Sequence, residues 1–353
     1  MRTISSTLVL GLMLAACGGE EAKPPVTPTT GASATPPPPV DTTPAPTATA
    51  TTPAPAKASL MDLQKQSMQT IAESMNAGDS KKFAGAYAED AVVLVAGMPE
   101  LKGREAIAKD AQMFFDGFPT RKFAWNRVWV KGDVVVTEWA WTGTNAGEFM
   151  GAKATNKPAG ALGVSIVWYN ADGAVKAEHR YSDFGTVMAQ LGLSKEKARP
   201  VPTLADKPEV IVAAGKPEED KNVEAVKAVY AALEGNKEAD FLAVMGDGSE
   251  YENMARADAP TKGKDGAKKG FKNWTTAFPD QKYSVSNAWG IGDFAIVEYR
   301  KSTNWNPLGP GCFGPRGPFP LNGGGRKEFP EPDSKAGGSR CGPRRPAAAG
   351  RLH

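Results

Sequence analysis

The sequence predicts an α+β protein: two cone-shaped domains, each a curved antiparallel β-sheet wrapped around about three helices, the second copy truncated. Three observations lead there. The segment KFAWNRVWVKGDVVVTEWAWT (122–142) recurs as KYSVSNAWGIGDFAIVEYRKS (282–302). Ahead of each copy, apolar residues recur at helical spacing. After each Phe-Pro step the pattern becomes that of strands, with hairpin signals at Lys131-Gly132-Asp133 and Asn170-Ala171-Asp172-Gly173. Helices followed by a run of strands need a sheet that curls over the helices to bury its apolar face. That leaves a cone with one open end, a natural small-molecule cavity.

The repeat sets the domain count. Lys122, Phe123, Trp129, Gly132, Asp133, Val136, Glu138 and Trp139 match Lys282, Tyr283, Trp289, Gly292, Asp293, Ile296, Glu298 and Tyr299 at a constant offset (122 to 282). Phe118-Pro119 and Lys102-Gly103 keep that offset against Phe278-Pro279 and Lys262-Gly263. In the first copy Leu60, Leu63, Met68, Ile71 and Met75 fit one face of an opening helix, as do Val223, Val226, Val229, Tyr230 and Leu233 in the second. A short second helix carries Phe83 and Tyr87, or Phe241 and Met245, and a third carries Ile107, Ala111 and Phe114. These patterns place domain 1 at 59–194, a linker at 195–219 and an incomplete domain 2 at 220–306.

The flanks have other roles. Arg2, the apolar run Leu8–Ala16 and then Leu14-Ala15-Ala16-Cys17 read as a signal peptide (1–16) ending in a lipobox, with Cys17 the lipidated residue of the mature chain. No aspartate follows Cys17, which in a Gram-negative cell directs such a protein to the outer membrane. The alternative is an ordinary signal peptide with an incidental cysteine. Residues 17–58 are Pro/Thr/Ala-rich without apolar periodicity and read as a disordered tether. Residues 307–353 are rich in Gly, Pro and Arg, with Cys312 and Cys341, and carry six Arg and two Lys against two Glu and one Asp. This tail reads as the product of a frameshift that truncated domain 2, or as a genuine disordered tail with a Cys312–Cys341 disulfide. It also accounts for the net charge of +3, because the body of the chain is mildly acidic. No nucleic-acid footprint is expected. With two His and three Cys, neither is a metal cluster, and no cofactor motif is found. The glycine-rich TGTNAGEFMG lacks the strand-then-helix context of a phosphate loop.

Candidate chemistry lies in EHRYSD. At period two, Val175, Ala177, His179, Tyr181 and Asp183 share one strand face, and Lys176, Glu178, Arg180 and Ser182 the other. The charged face is expected to meet water. The first face then points inward, making His179 and Asp183 a candidate acid–base pair or a satisfied polar pair holding the strand end. Trp139 and Trp141 share a face with Val135, and Trp125 and Trp129 share one on the preceding strand. With Tyr181 they are candidate pocket lining, or sheet-face packing. Glu138 and Glu298 lie opposite the tryptophans and read as solvent-facing or interface charges.

Together LKGREAI, FPTRKF, GDVVVTEWAWTGTNAGEFMGAKATNKPAG and DGAVKAEHRYSDFGTVMAQLG resemble the SnoaL-like polyketide cyclase (ester cyclase) group of the nuclear transport factor 2-like superfamily. The resemblance spans 60–194, and 220–306 in part. It implies a curved antiparallel sheet around helices, a hydrophobic pocket and metal-free proton transfer during an aldol closure. In that scheme Asp183 would be the base and His179 would polarise or protonate the enolate oxygen. Where relatives often have a histidine, this chain has Asn145 in Gly143-Thr144-Asn145. Three functions are compatible with these features. One is a lipid-anchored envelope protein binding a small hydrophobic ligand. The second is an acid–base enzyme using Asp183 and His179. The third is an envelope scaffold whose sheets pair face to face in a homodimer.

Overall fold

The computed structural model describes residues 6–7, 58–253 and 260–303. Cys17, the tether and the tail lie outside them, and of the signal region only Ser6–Thr7 (β1) is described. Helix α1 (Leu60–Ala77) starts on a capping box in which Ser59 and Asp62 satisfy each other's backbone N–H, and stops at Gly78 with φ 79°. The predicted apolar face is present, but the most deeply buried positions include Gln64, Ser67 and Ser74. Gln64 Nε2 donates to the Gly132 carbonyl at 2.9 Å, tying the helix to a hairpin tip. Helix α2 (Ser80–Gly85) is capped by Asp79. Tyr87, expected on this helix, instead opens strand β2 (Tyr87–Val95).

After β3 (Leu101–Lys102) come α3 (Gly103–Gly117), β4 (Lys122–Lys131), β5 (Val134–Thr144), β6 (Pro158–Tyr169), β7 (Val175–Ser182) and α4 (Phe184–Gln190). The sheet order is β3-β2-β7-β6-β5-β4-β8, where β8 is Glu209–Val212. The sheet is mixed rather than purely antiparallel, since β2 runs parallel to β7 and β8 parallel to β4. The segment expected to be a linker therefore supplies an edge strand, which its Glu-Val-Ile-Val run suits.

The second half repeats this order from α5 (Pro217–Glu234) and α6 (Glu238–Ala243) through β9 (Glu250–Tyr251), β10 (Thr261–Lys262), α7 (Gly263–Ala277), β11 (Lys282–Ile291) and β12 (Phe294–Ser302). Helices α3 and α7 (103 to 263) and strands β4 and β11 (122 to 282) begin at the sequence offset. Both hairpins bulge at the same place, between Trp125 and Arg127 and between Val285 and Asn287. Where β5 is followed across the sheet by β6, the outer edge of β12 pairs, among the described residues, with β1.

The β11–β12 hairpin lies on the outer face of the first sheet. Trp129, Val134, Val136 and Ile166 form one apolar cluster with Ile291 and Ile296. That cluster covers part of the sheet's outer face within one chain. No described helix is long and apolar enough to cross a membrane.

Candidate functional site

Two bulges determine which side chains reach the interior of the first domain. On β7, Val175 pairs with Tyr169, but Ala177 pairs with Trp168, so Lys176 is an extra residue. One inserted residue turns every later side chain to the opposite face. Val175 is therefore buried inside, and from there Glu178, Arg180 and Ser182 point inward while His179 and Tyr181 point outward. This inverts the period-two expectation. The bulge at Asn126 separates Trp125 from Trp129 in the same way: Trp125 faces the interior and Trp129 packs outside against Phe294.

The interior is a cavity of about 1130 Å³ counting its open mouth. Its walls come from α1 (Met68, Ile71, Met75), α3 (Phe114) and the sheet (Trp125, Trp139, Trp141). The Phe114 and Trp141 rings meet edge to face at 4.8 Å between centroids. The Trp139 indole lies across Gly163 of β6, where a Cβ would come within 2.2 Å of its ring carbons. At this position only glycine leaves room for the indole.

The floor is polar. Glu178 is 4% exposed and accepts four hydrogen bonds. Tyr87 OH donates to Oε2 and Ser165 Oγ to Oε1, each at 2.7 Å. Arg180 donates Nε to Oε1 and Nη2 to Oε2, each at 2.9 Å, a bidentate pair between neighbours on one strand face. Ser165 Oγ also accepts from Trp139 Nε1 at 3.0 Å. Asp110, on the cavity side of α3, reaches Arg180 Nη1 at 3.4 Å. Burial raises the Glu178 pKa, but the Arg180 charge and the donated hydrogen bonds outweigh it and hold it below the ordinary value. For Asp110 burial dominates. Its pKa is raised despite Arg180, and the Glu178 charge adds to the rise. Tyr87 is held well above its ordinary value by burial and the adjacent Glu178.

The predicted acid–base pair is not assembled. Asp183 is the N-cap of α4, its Oδ1 accepting from Thr186 N at 2.9 Å. Its Oδ2 is buried without a partner, beside a separate hollow lined by Gly160, Thr186 and Pro202. His179 stands outside the sheet against Trp168, with Nδ1 2.6 Å from Glu298 Oε1. Tyr181 OH donates to the same oxygen and Asn287 Nδ2 to the other. Burial raises the Glu298 pKa, but the hydrogen bonds outweigh it and the net shift is downward. Neither His179 nor Asp183 lines the cavity, and neither do Tyr181 and Trp129. Of the predicted pocket residues, Trp125, Trp139 and Trp141 do. Asn145 is buried and saturated. Its amide donates to the Gly117 and Gly147 carbonyls, and its oxygen accepts from Thr155, pinning the loop between β5 and β6.

Asp110, Glu178 and Arg180 were missed, although a signal existed. Asp110 interrupts the helix face of Ile107, Ala111 and Phe114, and Glu178 and Arg180 are opposite charges two apart on one strand.

Residues 65–191 match the family model of the SnoaL-like polyketide cyclases. A search of curated proteins finds no match. Among solved structures the chain is similar to a SnoaL-like protein of Jannaschia sp. CCS1, at 19% identity over 40% of this chain and 99% of that one, TM-score 0.36. It is also similar to IdmH of Streptomyces antibioticus, at 26% identity over 36% and 98%, TM-score 0.33, and to TsrD of Streptomyces laurentii, at 17% over 38% and 97%, TM-score 0.35. The match to the SnoaL-like polyketide cyclase model thus falls on the segment whose helices lie against the curved mixed sheet and whose cavity opens at one end.

Proposed function

We propose that the first domain is a receptacle for a small, largely aromatic molecule with one hydrogen-bonding end. One observation carries this reading: an aromatic cavity ends on a polar floor whose central carboxylate, Glu178, is already fully engaged. A carboxylate that accepts four hydrogen bonds and is held below its ordinary pKa is a poor proton acceptor. It is well suited to holding Arg180 and Tyr87 in place for a ligand. The aromatic rings supply apolar and edge-to-face contact.

The second half is, on this reading, a tandem copy that lost its last strands. The shared offset, element order and bulge position support it. Cys17 is the lipid anchor, the Pro/Thr/Ala-rich segment is the tether, and the cell envelope is the site of action. The motif Leu14-Ala15-Ala16-Cys17 supports this. Replacing Cys17 with Ser is expected to move the protein from the membrane to the soluble fraction, and unchanged fractionation would remove the anchor.

A proton-transfer enzyme is the second reading, and Asp110 favours it. Asp110 lines the cavity, its pKa is raised, and its contact with Arg180 is long at 3.4 Å. The neutral bicyclic ketone 2-tetralone tests both readings on the full chain. Saturable quenching of tryptophan emission, with α-hydrogen exchange in D2O no faster than in buffer, is expected of the receptacle. Accelerated exchange that Asp110→Asn abolishes would replace it with the enzyme. Absence of saturable quenching would overturn both.

A further inference from the structure

The second half encloses a cavity of its own, about 790 Å³ counting its mouth, between α5, α6, α7 and the β11–β12 hairpin. Several of its walls correspond to those of the first cavity at the repeat offset. Trp274 stands where Phe114 stands, Tyr283 for Phe123 and Tyr299 for Trp139. What differs is charge. Asp110 of α3 corresponds to Gly270 of α7 (110 to 270), and among the described residues no strand follows β12 to bring an equivalent of Glu178 and Arg180. The charged wall residue is Glu250, which is exposed at the rim and pairs with Lys262.

The polar groups inside are hydroxyls and an indole that largely satisfy one another. Tyr283 OH accepts from Trp274 Nε1 at 2.7 Å and donates to Gln281 Oε1 at 2.8 Å. Burial pushes the Tyr283 pKa to about 12, so this wall stays neutral across the physiological range. Along α7 the cavity side is Gly263, Gly266, Ala267, Gly270, Phe271 and Trp274, and the Phe271 ring lies 5.0 Å from that of Phe241. A Cβ at Gly270 would meet nothing within 4 Å.

We infer that this second cavity is an independent binding site for uncharged, flat aromatic molecules, and that it rejects charged ones of either sign. An ion placed there would lose water and meet only the rim Glu250 among the described lining residues, because Lys301, with its Nζ 3.8 Å from the Trp274 ring centroid, is not part of the lining. A neutral ring system loses little and gains contact with Trp274, Tyr299 and Phe271. The inference goes beyond the receptacle in the first domain, because the two cavities share no wall.

The test uses the full chain labelled with 5-fluorotryptophan, the Trp274 and Trp139 resonances being identified by Trp274→Phe and Trp139→Phe. The probes are 1-naphthol, 1-naphthoate and 1-naphthylmethylammonium. Saturable movement of the Trp274 resonance is expected with 1-naphthol, at least about tenfold weaker with either ion. Gly270→Leu places a branched side chain at an exposed edge of the cavity, away from its hydrogen bonds, and adds helix propensity, so it is expected to weaken the Trp274 response. Gly270→Asp restores the carboxylate of the first cavity and is expected to weaken 1-naphthol at Trp274 about tenfold. A Trp274 resonance unmoved by 1-naphthol, or moved equally by all three probes, would overturn the inference. The Trp139 resonance reports the first cavity separately, so its response or silence bears on the receptacle alone.

Discussion

Hairpins β4–β5 and β11–β12 start from one sequence pattern, carry the same bulge and end in different surroundings. The first continues into β6 and β7, and β7 delivers Glu178 and Arg180 beneath Asp110. The second ends with β12 among the described residues, and its helix has Gly270 where Asp110 stands. The helices and the hairpin are enough to wall a cavity, and the last two strands give it charge. A second contrast lies on the outer faces. Glu138 shares Arg127 with Glu209 near the surface. Glu298, its counterpart, is 4% exposed and accepts from His179, Tyr181 and Asn287. The same residue has two fates because only the first half has a β6–β7 surface on which the other can rest.

The largest expected effect tests the charged floor. Glu178→Ala leaves Arg180 buried with only the long Asp110 contact, which costs about 3–5 kcal/mol in urea unfolding. The pH dependence follows from the sign of the shift. The folded pKa of Glu178 lies below the ordinary 4.5, so its contribution is present above that value and is lost as pH falls through the folded pKa. Glu178→Gln should flatten the acid limb of the stability profile, and an unchanged limb would show that the floor does not control it.

The outer-face contrast comes next. Glu298→Ala strands three donors and is expected to cost about 1–3 kcal/mol, whereas Glu138→Ala, at a half-exposed ion pair, should cost about 0–1 kcal/mol. Equal losses in thermal unfolding would erase the distinction between the two glutamates.

A smaller effect separates two ways of holding the hairpin. Asn76 brackets Phe123, accepting from its N–H at 2.8 Å and donating to its carbonyl at 3.1 Å. In the second half Glu234 only accepts, from Tyr283 N. Asn76→Asp keeps the acceptor and removes the donor, and should cost about 1 kcal/mol by urea titration. No loss would mean that the one-sided arrangement is sufficient. The smallest effect concerns helix starts. Ser59→Ala removes the capping box of α1 and should cost about 1 kcal/mol, while Lys216→Ala, at a start with no side-chain cap, should be neutral in the same assay.

Much of the scaffold was legible because it rests on local signals. Ser59 and Gly78 bound α1, Gly132 at φ 61° and Gly292 at φ 58° turn the hairpins, and the repeat placed α7 and β11 from α3 and β4. Trp125, Trp139 and Trp141, read as pocket lining or sheet-face packing, do line the cavity, on runs that stay in register with each other. The site failed where a strand slipped. Nothing local to EHRYSD marks Lys176 as an extra residue, so His179 and Glu178 exchanged faces between expectation and structure. Asp183, a base only in what the resemblance implies, sits in Asp-Phe-Gly-Thr, which also spells a helix cap.

The sequence alone carried the α+β class and the hairpin turns, which rest on local spacing, and the correspondence of 122–142 with 282–302, which rests on laying two segments side by side, and it left the tryptophans as candidate walls. Tertiary structure decided the rest. It added β8 to the sheet edge, laid β11–β12 over the outer face, and set Glu178, Arg180 and Asp110 around one floor while sending His179 out to Glu298. The physical reason lies in strand pairing. A bulge costs one unpaired residue locally, and whether it forms depends on the strands on either side, which the sequence of one strand does not contain.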